Sequence, residues 1–189
     1  MIITKKLIKW AKDNEACKEG IEQAKQMIGQ DVHSLDPAYR TWVMIHHPDC
    51  PINLEGLTAY YRTWVMSEQL RCQIDLEGLS GRHRAWLMVE RPDCPIDLAG
   101  IPYRYRARIM VKRPDCPIDL TGLTSHQRAW VMVERPDCPI DLTGLHRCDR
   151  AWVMGDRKDC PIDLKGLTTE ERAWIMRNRT DYKPETTTT

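Results

Sequence analysis

The sequence repeats itself at a fixed interval of 22 residues, and this interval limits the possible folds more than any other feature. One cysteine recurs at the interval from Cys50 to Cys160 and one methionine from Met44 to Met176, with no insertion in between. A constant period between about twenty and fifty residues is typical of solenoids, in which each unit buries its apolar face against its neighbours. The repeat therefore predicts an array of stacked units.

The first half of each repeat predicts an α-helix. In the segment "TSHQRAWVMVERPD", Thr124 followed three residues later by Gln127 is a capping-box pattern, and Pro136 ends the segment. A helix is therefore expected over about residues 125–134. Its always-apolar positions run almost right round the helix, which predicts that it is sandwiched between neighbouring units.

The second half, "DCPIDLTGL", has two interpretations, a short strand or a second, very short helix. A stacked strand would lose a ladder hydrogen bond at Pro139 on every rung and would bring the aspartates at the position of Asp141 close together. Asp137 suits a helix N-cap and Gly144 suits a C-cap. These features favour a short helix of 3₁₀ type, with the strand as the alternative.

An α-helix alternating with a short helix over 22 residues resembles the leucine-rich repeat variant family, whose architecture is related to HEAT repeats. The likeness covers about residues 35–178, where "DPAYRTWVM" and "PDCPIDLTGL" match the family's proline-containing helix start and its proline- and leucine-containing second helix. The resemblance implies an all-α, right-handed solenoid. The iron–sulfur segment of one branch is not carried over, because only Cys17 lies in the N-terminal part.

The predicted fold is accordingly an all-α, right-handed solenoid of 22-residue repeats with a helical N-terminal cap. Residues 1–34 lack the repeat and form the capping segment, because a terminal unit has to cover the apolar end of the array. Residues 35–179 form the solenoid, with seven α-helices and six short helices. Residues 180–189 are expected to form a flexible polar tail.

Charge and hydropathy narrow the possible partners and the location. The chain has 28 basic and 27 acidic residues, a net charge of +1, which argues against duplex DNA as a partner. No apolar run approaches the ~20 residues that span a bilayer, so no membrane is expected. The start "MIITKKLIKWAKDNE" is too charged for a secretory signal, and a cytoplasmic location follows.

The cysteines and the missing catalytic motifs argue against metal sites and enzymatic activity. Six of the eight cysteines stand alone, one per repeat, without the paired spacing that zinc requires. They are expected to be reduced, buried and free of metal. The sequence contains no GxSxG, P-loop or HExxH motif, so the chain is predicted to be no enzyme and to need no cofactor.

Two residue types that recur at fixed positions of the repeat are interpreted as structural. The tryptophans at the position of Trp130 are expected to pack in the core or between repeats. The arginines at the position of Arg128 lie between two apolar directions of the helix, so partial burial is expected, with a carboxylate near Asp137 or Asp141 as partner. Such pairs would form a ladder that joins repeats.

The positions that vary between repeats are the candidates for binding, because a solenoid addresses its partner through them. The residue before each helix arginine changes from aromatic to acidic along the chain, and one repeat, "IPYRYRARIMVKRPDC", replaces the tryptophan by arginine and adds further basic and aromatic residues. The candidate partner-binding residues are Tyr39, Tyr61, His83, Tyr103, Arg104, Tyr105, Arg108, Lys112 and Arg113. The predicted function is a non-enzymatic scaffold for protein–protein interaction, and a nucleic-acid-binding solenoid is the alternative.

Overall fold

A computed structural model describes residues 1–181 and folds them into α-helices joined by turns. Within this range no β-strand forms, and an isolated bridge joins Ile2 to Asp31. The prediction of an all-α fold is therefore confirmed. The helices are α1 (Lys5–Asp13), α2 (Lys18–Gln26), α3 (Pro37–His46), α4 (Ala59–Glu68), α5 (Gly81–Glu90), α6 (Tyr103–Lys112), α7 (Ser125–Glu134), α8 (Arg147–Asp156) and α9 (Thr169–Asn178), with a 3₁₀ turn at Val32–Ser34.

The chain forms two compact units, Met1–Pro95 and Ile96–Thr189. In the first unit α1 packs on α2, α3 on α4, and α4 on α5. In the second unit α6 packs on α7, α7 on α8, and α8 on α9. Within each unit the repeat helices therefore stack in sequence order, as the repeat predicted. Most of the polar tail predicted for 180–189 lies outside the described residues.

The helix of each repeat begins where its cap predicts. Thr124 Oγ1 accepts a hydrogen bond from the Gln127 backbone N–H at 3.3 Å, and the Gln127 side chain accepts one from the Thr124 N–H at 3.0 Å. Thr168 and Glu171 form the same capping box at the start of α9. These reciprocal bonds satisfy N–H groups that have no partner inside the helix, and they fix its first residue.

The second half of the repeat differs from the prediction, because it forms two single turns around an extended stretch. One turn is closed by the Cys138 N–H and the Arg135 carbonyl at 2.9 Å, the other by the Leu145 N–H and the Leu142 carbonyl at 3.2 Å. A 3₁₀ helix needs consecutive bonds of this kind. Pro139 has no N–H to donate, and the Asp141 carboxylate accepts the Thr143 N–H at 2.9 Å. The six short helices of the prediction therefore do not form.

The core of each repeat comes from one side of its helix and from the turn that follows. In α7, Ala129, Val131 and Met132 are fully buried, and Cys138 and Leu145 of the following turn segment are buried as well. The fully buried residues lie on one side of the helix, and α7 packs between α6 and α8, so the prediction of a helix sandwiched between neighbouring units is confirmed within this unit. Trp130 points away from Met132, 160° apart on an ideal helical wheel, and remains partly exposed.

The repeat cysteines are buried, as predicted. Their thiols lie near the carbonyl of the following residue, 3.5 Å from Sγ of Cys138 to Pro139 O, and burial raises the pKa of the Cys138 thiol. At Cys50 burial raises the pKa to about 11. The two cysteines outside the repeat position, Cys17 and Cys148, are exposed. A buried neutral thiol packs like a small apolar side chain, so the repeat cysteines serve the core.

Candidate binding surface

Each repeat helix exposes a row made of its second, sixth and tenth residues. On an α-helix these three residues fall within 80° of one another, so they share one face. We call these sets the exposed rows. They are Ala38–Trp42–His46, Tyr60–Trp64–Glu68, Arg82–Trp86–Glu90, Arg104–Arg108–Lys112, His126–Trp130–Glu134, Cys148–Trp152–Asp156 and Glu170–Trp174–Asn178.

The tryptophans stand at the centre of these rows and are half-buried, partly by the neighbouring repeat. The ring of Trp174 in α9 lies against Gly155 of α8, where an added Cβ atom would come within 1.9 Å of the indole. Trp152 donates its indole N–H to Asp156 at 2.7 Å, and His126 of the preceding helix stacks on it at 5.3 Å. The tryptophans thus pack between repeats, as predicted, and remain partly exposed.

The exposed row of α6 is basic where the other rows carry tryptophan. Arg104, Arg108 and Lys112 are all exposed, and none of them forms an ion pair with a carboxylate of the described residues. Arg104 donates to the Tyr105 hydroxyl at 3.0 Å and lies 4.6 Å from the centre of that ring. The row thus places three positive charges on one helix face without a carboxylate partner in the described residues, which makes it a basic patch.

Two other predicted site residues of this repeat are held by the protein itself. The Tyr103 ring lies against Gly122, where a Cβ atom would come within 2.5 Å of it, and the Arg106 guanidinium lies 5.5 Å from the ring centre. Arg113 is buried and pairs with Asp115 at 2.7 Å, so it does not extend the exposed row. Arg113 is therefore not part of the candidate surface, and its prediction as a partner-binding residue is wrong.

The predicted site residues before the helix arginines are less exposed than expected. Tyr39, Tyr61 and His83 are all half-buried. Tyr39 lines an apolar cavity of about 330 Å³ with Trp42 and Trp64, and partial burial raises the pKa of its hydroxyl. Tyr61 packs edge-on against Tyr60, and His83 contacts the Ser80 hydroxyl at 3.0 Å. This column borders the exposed rows without being part of them.

The helix arginines pair within their own repeat and do not join repeats as predicted. Arg128 contacts Asp141 at 3.2 Å, and Arg62 contacts Asp75 at 2.6 Å, in each case 13 residues further along the same repeat. Partial burial and a carboxylate partner are confirmed at these positions. Arg40, which is buried, instead donates to the carbonyls of His33 and Glu55.

Within each unit, a second arginine column, which the sequence analysis missed, joins neighbouring repeats. These C-cap arginines follow the last residue of α5 to α9 and are Arg91, Arg113, Arg135, Arg157 and Arg179. Arg135 donates to the carbonyls of Met110 at 2.5 Å, Arg113 at 3.0 Å and Pro114 at 3.1 Å, all in the preceding repeat. The recurring letters "RPDC" carried this signal, because the aspartate two residues on is its ion-pair partner.

The described residues contain no group of three His, Cys, Asp or Glu side chains arranged to hold a metal ion. In the same range, no helix is long and apolar enough to cross a membrane. The chain matches no protein-family model, and neither the curated proteins nor the solved structures include a significant match to it.

Proposed function

We propose that this protein is a non-enzymatic repeat scaffold that binds a protein partner through the exposed rows. The observation that carries the proposal is the row Arg104–Arg108–Lys112 on α6, exposed and without a carboxylate partner in the described residues. If the row on α6 only packed against neighbouring repeats, it would be expected to keep the tryptophan that the other repeats have. An acidic segment of a partner would supply the missing countercharges.

The other exposed rows of the second unit, Ile96–Thr189, also limit what kind of partner fits. Beyond α6 they present tryptophan rings with Glu134, Asp156 and Glu170 at their exposed ends. Half-buried tryptophan and arginine are the residues that dominate protein interfaces. A nucleic acid running along these rows would bring phosphates close to the carboxylates. A short acidic peptide with one or two apolar residues fits the charges better.

We also propose kinship with the leucine-rich repeat variant and HEAT-like solenoids, and a cytoplasmic location. The kinship is supported by stacked single helices at a 22-residue interval in each unit. The location is supported by buried thiols, one per repeat, which take no part in disulfides in the described chain.

The test uses capture from a nuclease-treated native lysate, followed by affinity measurement with the recovered protein. Arg108→Trp restores the residue of the other repeats, and Arg104→Glu with Lys112→Glu reverses the remaining charges of the row. Lys165→Glu, which changes an exposed lysine of a turn segment outside the rows in the same unit, is the charge-reversal control. We expect both α6 variants to weaken binding at least ~10-fold, about 1.4 kcal/mol, and the control to bind as wild type.

Two results would contradict the proposal. One is equal binding by wild type and both α6 variants, which would place the site elsewhere. The other is capture that depends on nucleic acid and disappears on nuclease treatment, which would favour the alternative function.

A further inference from the structure

The start of α8 places an exposed thiol next to an imidazole. Cys148 is the second residue of the helix and His146 is its N-cap. His146 Nδ1 lies 2.9 Å from Cys148 Sγ, within hydrogen-bonding distance. The other repeat helices with a side-chain cap use threonine or aspartate at the N-cap position, and His146 makes no cap bond of this kind. The His146 side chain therefore contacts the Cys148 thiol and does not cap the helix.

The environment of Cys148 differs from that of every other cysteine in the chain. The six repeat thiols are buried under the helices. Cys17, also exposed, is the N-cap of α2, and no histidine nitrogen contacts its sulfur in the described residues. The protein thus has two accessible thiols, and one of them has a base in contact. Cys17 serves as an internal reference for the reactivity of an exposed cysteine without a base.

A separate observation, a pocket beside the thiol, points to a ligand. Its volume is about 280 Å³, and it is lined by Cys148, Ala151, Trp152, Glu170, Glu171 and Trp174. Two indoles and an alanine make the walls apolar. The pocket has room for one small, flat molecule whose end would lie near the sulfur.

Charges around the pocket select against an anionic ligand. Glu170 is exposed, while Glu171 accepts the Thr168 N–H at 2.8 Å and lies 3.4 Å from Arg147 Nε. Behind Trp152, the buried Asp149 accepts a hydrogen bond from Ser125 and contacts His126 at 3.1 Å. The carboxylates that reach the pocket would repel a negative molecule such as glutathione disulfide.

We propose that Cys148 is a covalent modification site for small, flat, neutral α,β-unsaturated carbonyl compounds. His146 accepts the thiol proton while sulfur forms a bond to the β-carbon. The π-electron pair of the C=C bond moves onto the α-carbon and carbonyl, and the imidazolium returns its proton to the α-carbon. The product is a thioether, and no oxidant, reductant or leaving group takes part.

This site is independent of the proposed partner-binding row on α6, although both lie on exposed rows. Adduct formation would place a bulky group between Trp152 and Trp174. The exposed row of α8 would then change its shape without a change in the fold.

The experiment treats the full-length protein with cinnamaldehyde at neutral pH and follows each cysteine by peptide mass mapping. We expect Cys148 to react at least ~10-fold faster than Cys17, because an adjacent base contributes ~10²-fold or more to such steps. His146→Thr places the residue of α7 and α9 at the N-cap, so the helix stays capped. It should lower the Cys148 rate at least ~10-fold and leave Cys17 unchanged.

A second arm tests the pocket. Trp174→Ala should slow cinnamaldehyde at Cys148 several-fold, whereas iodoacetamide, which is too small to need the pocket, should react at an unchanged rate. The unchanged iodoacetamide rate also reports that the start of α8 is intact. Glutathione disulfide at the same concentration should modify Cys148 more slowly than cinnamaldehyde does.

Equal rates at Cys148 and Cys17, or an unchanged Cys148 rate in His146→Thr, would overturn the proposal of a base-assisted site. Equal modification by glutathione disulfide would overturn the selectivity for neutral compounds.

Discussion

Arg128 and Arg135 lie at opposite ends of the same helix, α7, and their surroundings differ sharply. The Arg128 side chain is 20% exposed and contacts Asp141 of its own repeat. The Arg135 side chain is 7% exposed, forms a two-point ion pair with Asp137, and donates to carbonyls of the preceding repeat. Arg128 thus pairs with the turn segment of its own repeat, whereas Arg135 bonds its repeat to the preceding one.

The geometry of the guanidinium explains why an arginine takes the second position. It carries five N–H donors in a planar fork, and the end of a repeat leaves several backbone carbonyls without a donor. Arg135 donates to these carbonyls with Nη1 and Nη2, while Nε and Nη2 also donate to Asp137, which supplies the countercharge at the surface. The hydrogen bond between them raises the pKa of Arg135 and lowers that of Asp137.

The largest predicted effect is the loss of an inter-repeat arginine. Arg135→Ala leaves the buried carbonyls of Met110, Arg113 and Cys116 without this donor, and we expect a loss of about 3–5 kcal/mol in the free energy of unfolding. Urea denaturation followed by tryptophan fluorescence measures it. Arg135→Lys keeps the charge but cannot reach the same acceptors, so its free energy of unfolding should lie between those of wild type and Arg135→Ala. A change below ~0.5 kcal/mol in Arg135→Ala would disprove the role of this arginine.

The corresponding change at the other end of the helix should be smaller. Arg128→Ala removes a contact to a largely exposed carboxylate, and we expect a loss of about 1 kcal/mol. The same urea experiment measures it, and added salt should reduce the difference from wild type because the pair is accessible to solvent. If Arg128→Ala cost as much as Arg135→Ala, the distinction between the two columns would fail.

Most of the fold could be predicted from the repeat, because period, caps and apolar positions are local or regular features. Thr124 and Gln127 placed the start of α7 at the residue where the structure has it. The turn segment was harder, since Asp137 and Gly144 are typical of helix caps as well as of turns. Its conformation depends on Pro139 and on the bond from Thr143 to Asp141, which a cap pattern alone does not reveal.

The candidate surface could be predicted only in part, because the helical wheel gives directions and no neighbours. It placed Lys112 on an exposed side, where the structure has it, but it put Arg108 at the position of the packed tryptophans, whereas the structure exposes Arg108. It left two environments open for Trp130, the core and the contact between repeats, because a choice between them needs the neighbouring helix. Arg135 was missed for a related reason: a charged residue at a helix end looks solvated. Its burial depends on carbonyls about 20 residues earlier in the sequence.

The repeat of α4 has no arginine at the C-cap position. It has Gln69 at the C-cap position, and the Gln69 amide bonds the Ile45 carbonyl. Arg71, two residues later, donates to the carbonyls of Pro48 at 2.5 Å and Cys50 at 2.9 Å. Two side chains thus share the inter-repeat contacts that one C-cap arginine makes elsewhere, and Leu70 between them is 76% exposed.

Restoring the common letters in this repeat should stabilise the protein modestly. The triple variant Gln69→Arg, Leu70→Pro, Arg71→Asp writes the sequence "RPDC" found in later repeats. We expect a gain of about 1 kcal/mol, or roughly 2–4 °C in Tm, from one buried fork and a stiffer turn. Differential scanning calorimetry measures it. Arg71→Asp alone is the control and should lower Tm, because it removes an inter-repeat donor without replacing it.

The smallest effect concerns the acids of the two pairs. The pKa of Asp137 is lowered chiefly by its hydrogen bond with Arg135, and the pKa of Asp141 chiefly by the Thr143 backbone N–H, with Arg128 a lesser cause. A carboxyl whose pKa is lower in the folded state than in the unfolded chain stabilises the protein at pH values above the unfolded pKa, which is near 4. This contribution is lost as the pH falls through the folded pKa, so Tm should be level from pH 7 to about 5 and fall below about 4.

Carboxyl carbon NMR titration of Arg128→Ala separates the two causes. Without Arg128, the Asp141 carboxyl still accepts the Thr143 N–H, so its pKa should rise only slightly and remain below the usual range for aspartate. Asp137 keeps its partner and should titrate as in wild type, which makes it the control within the same spectrum. A return of Asp141 to the ordinary value near 4 would mean that its guanidinium partner and not the turn holds the charge. Arg128 would then resemble Arg135 more closely than its exposure indicates.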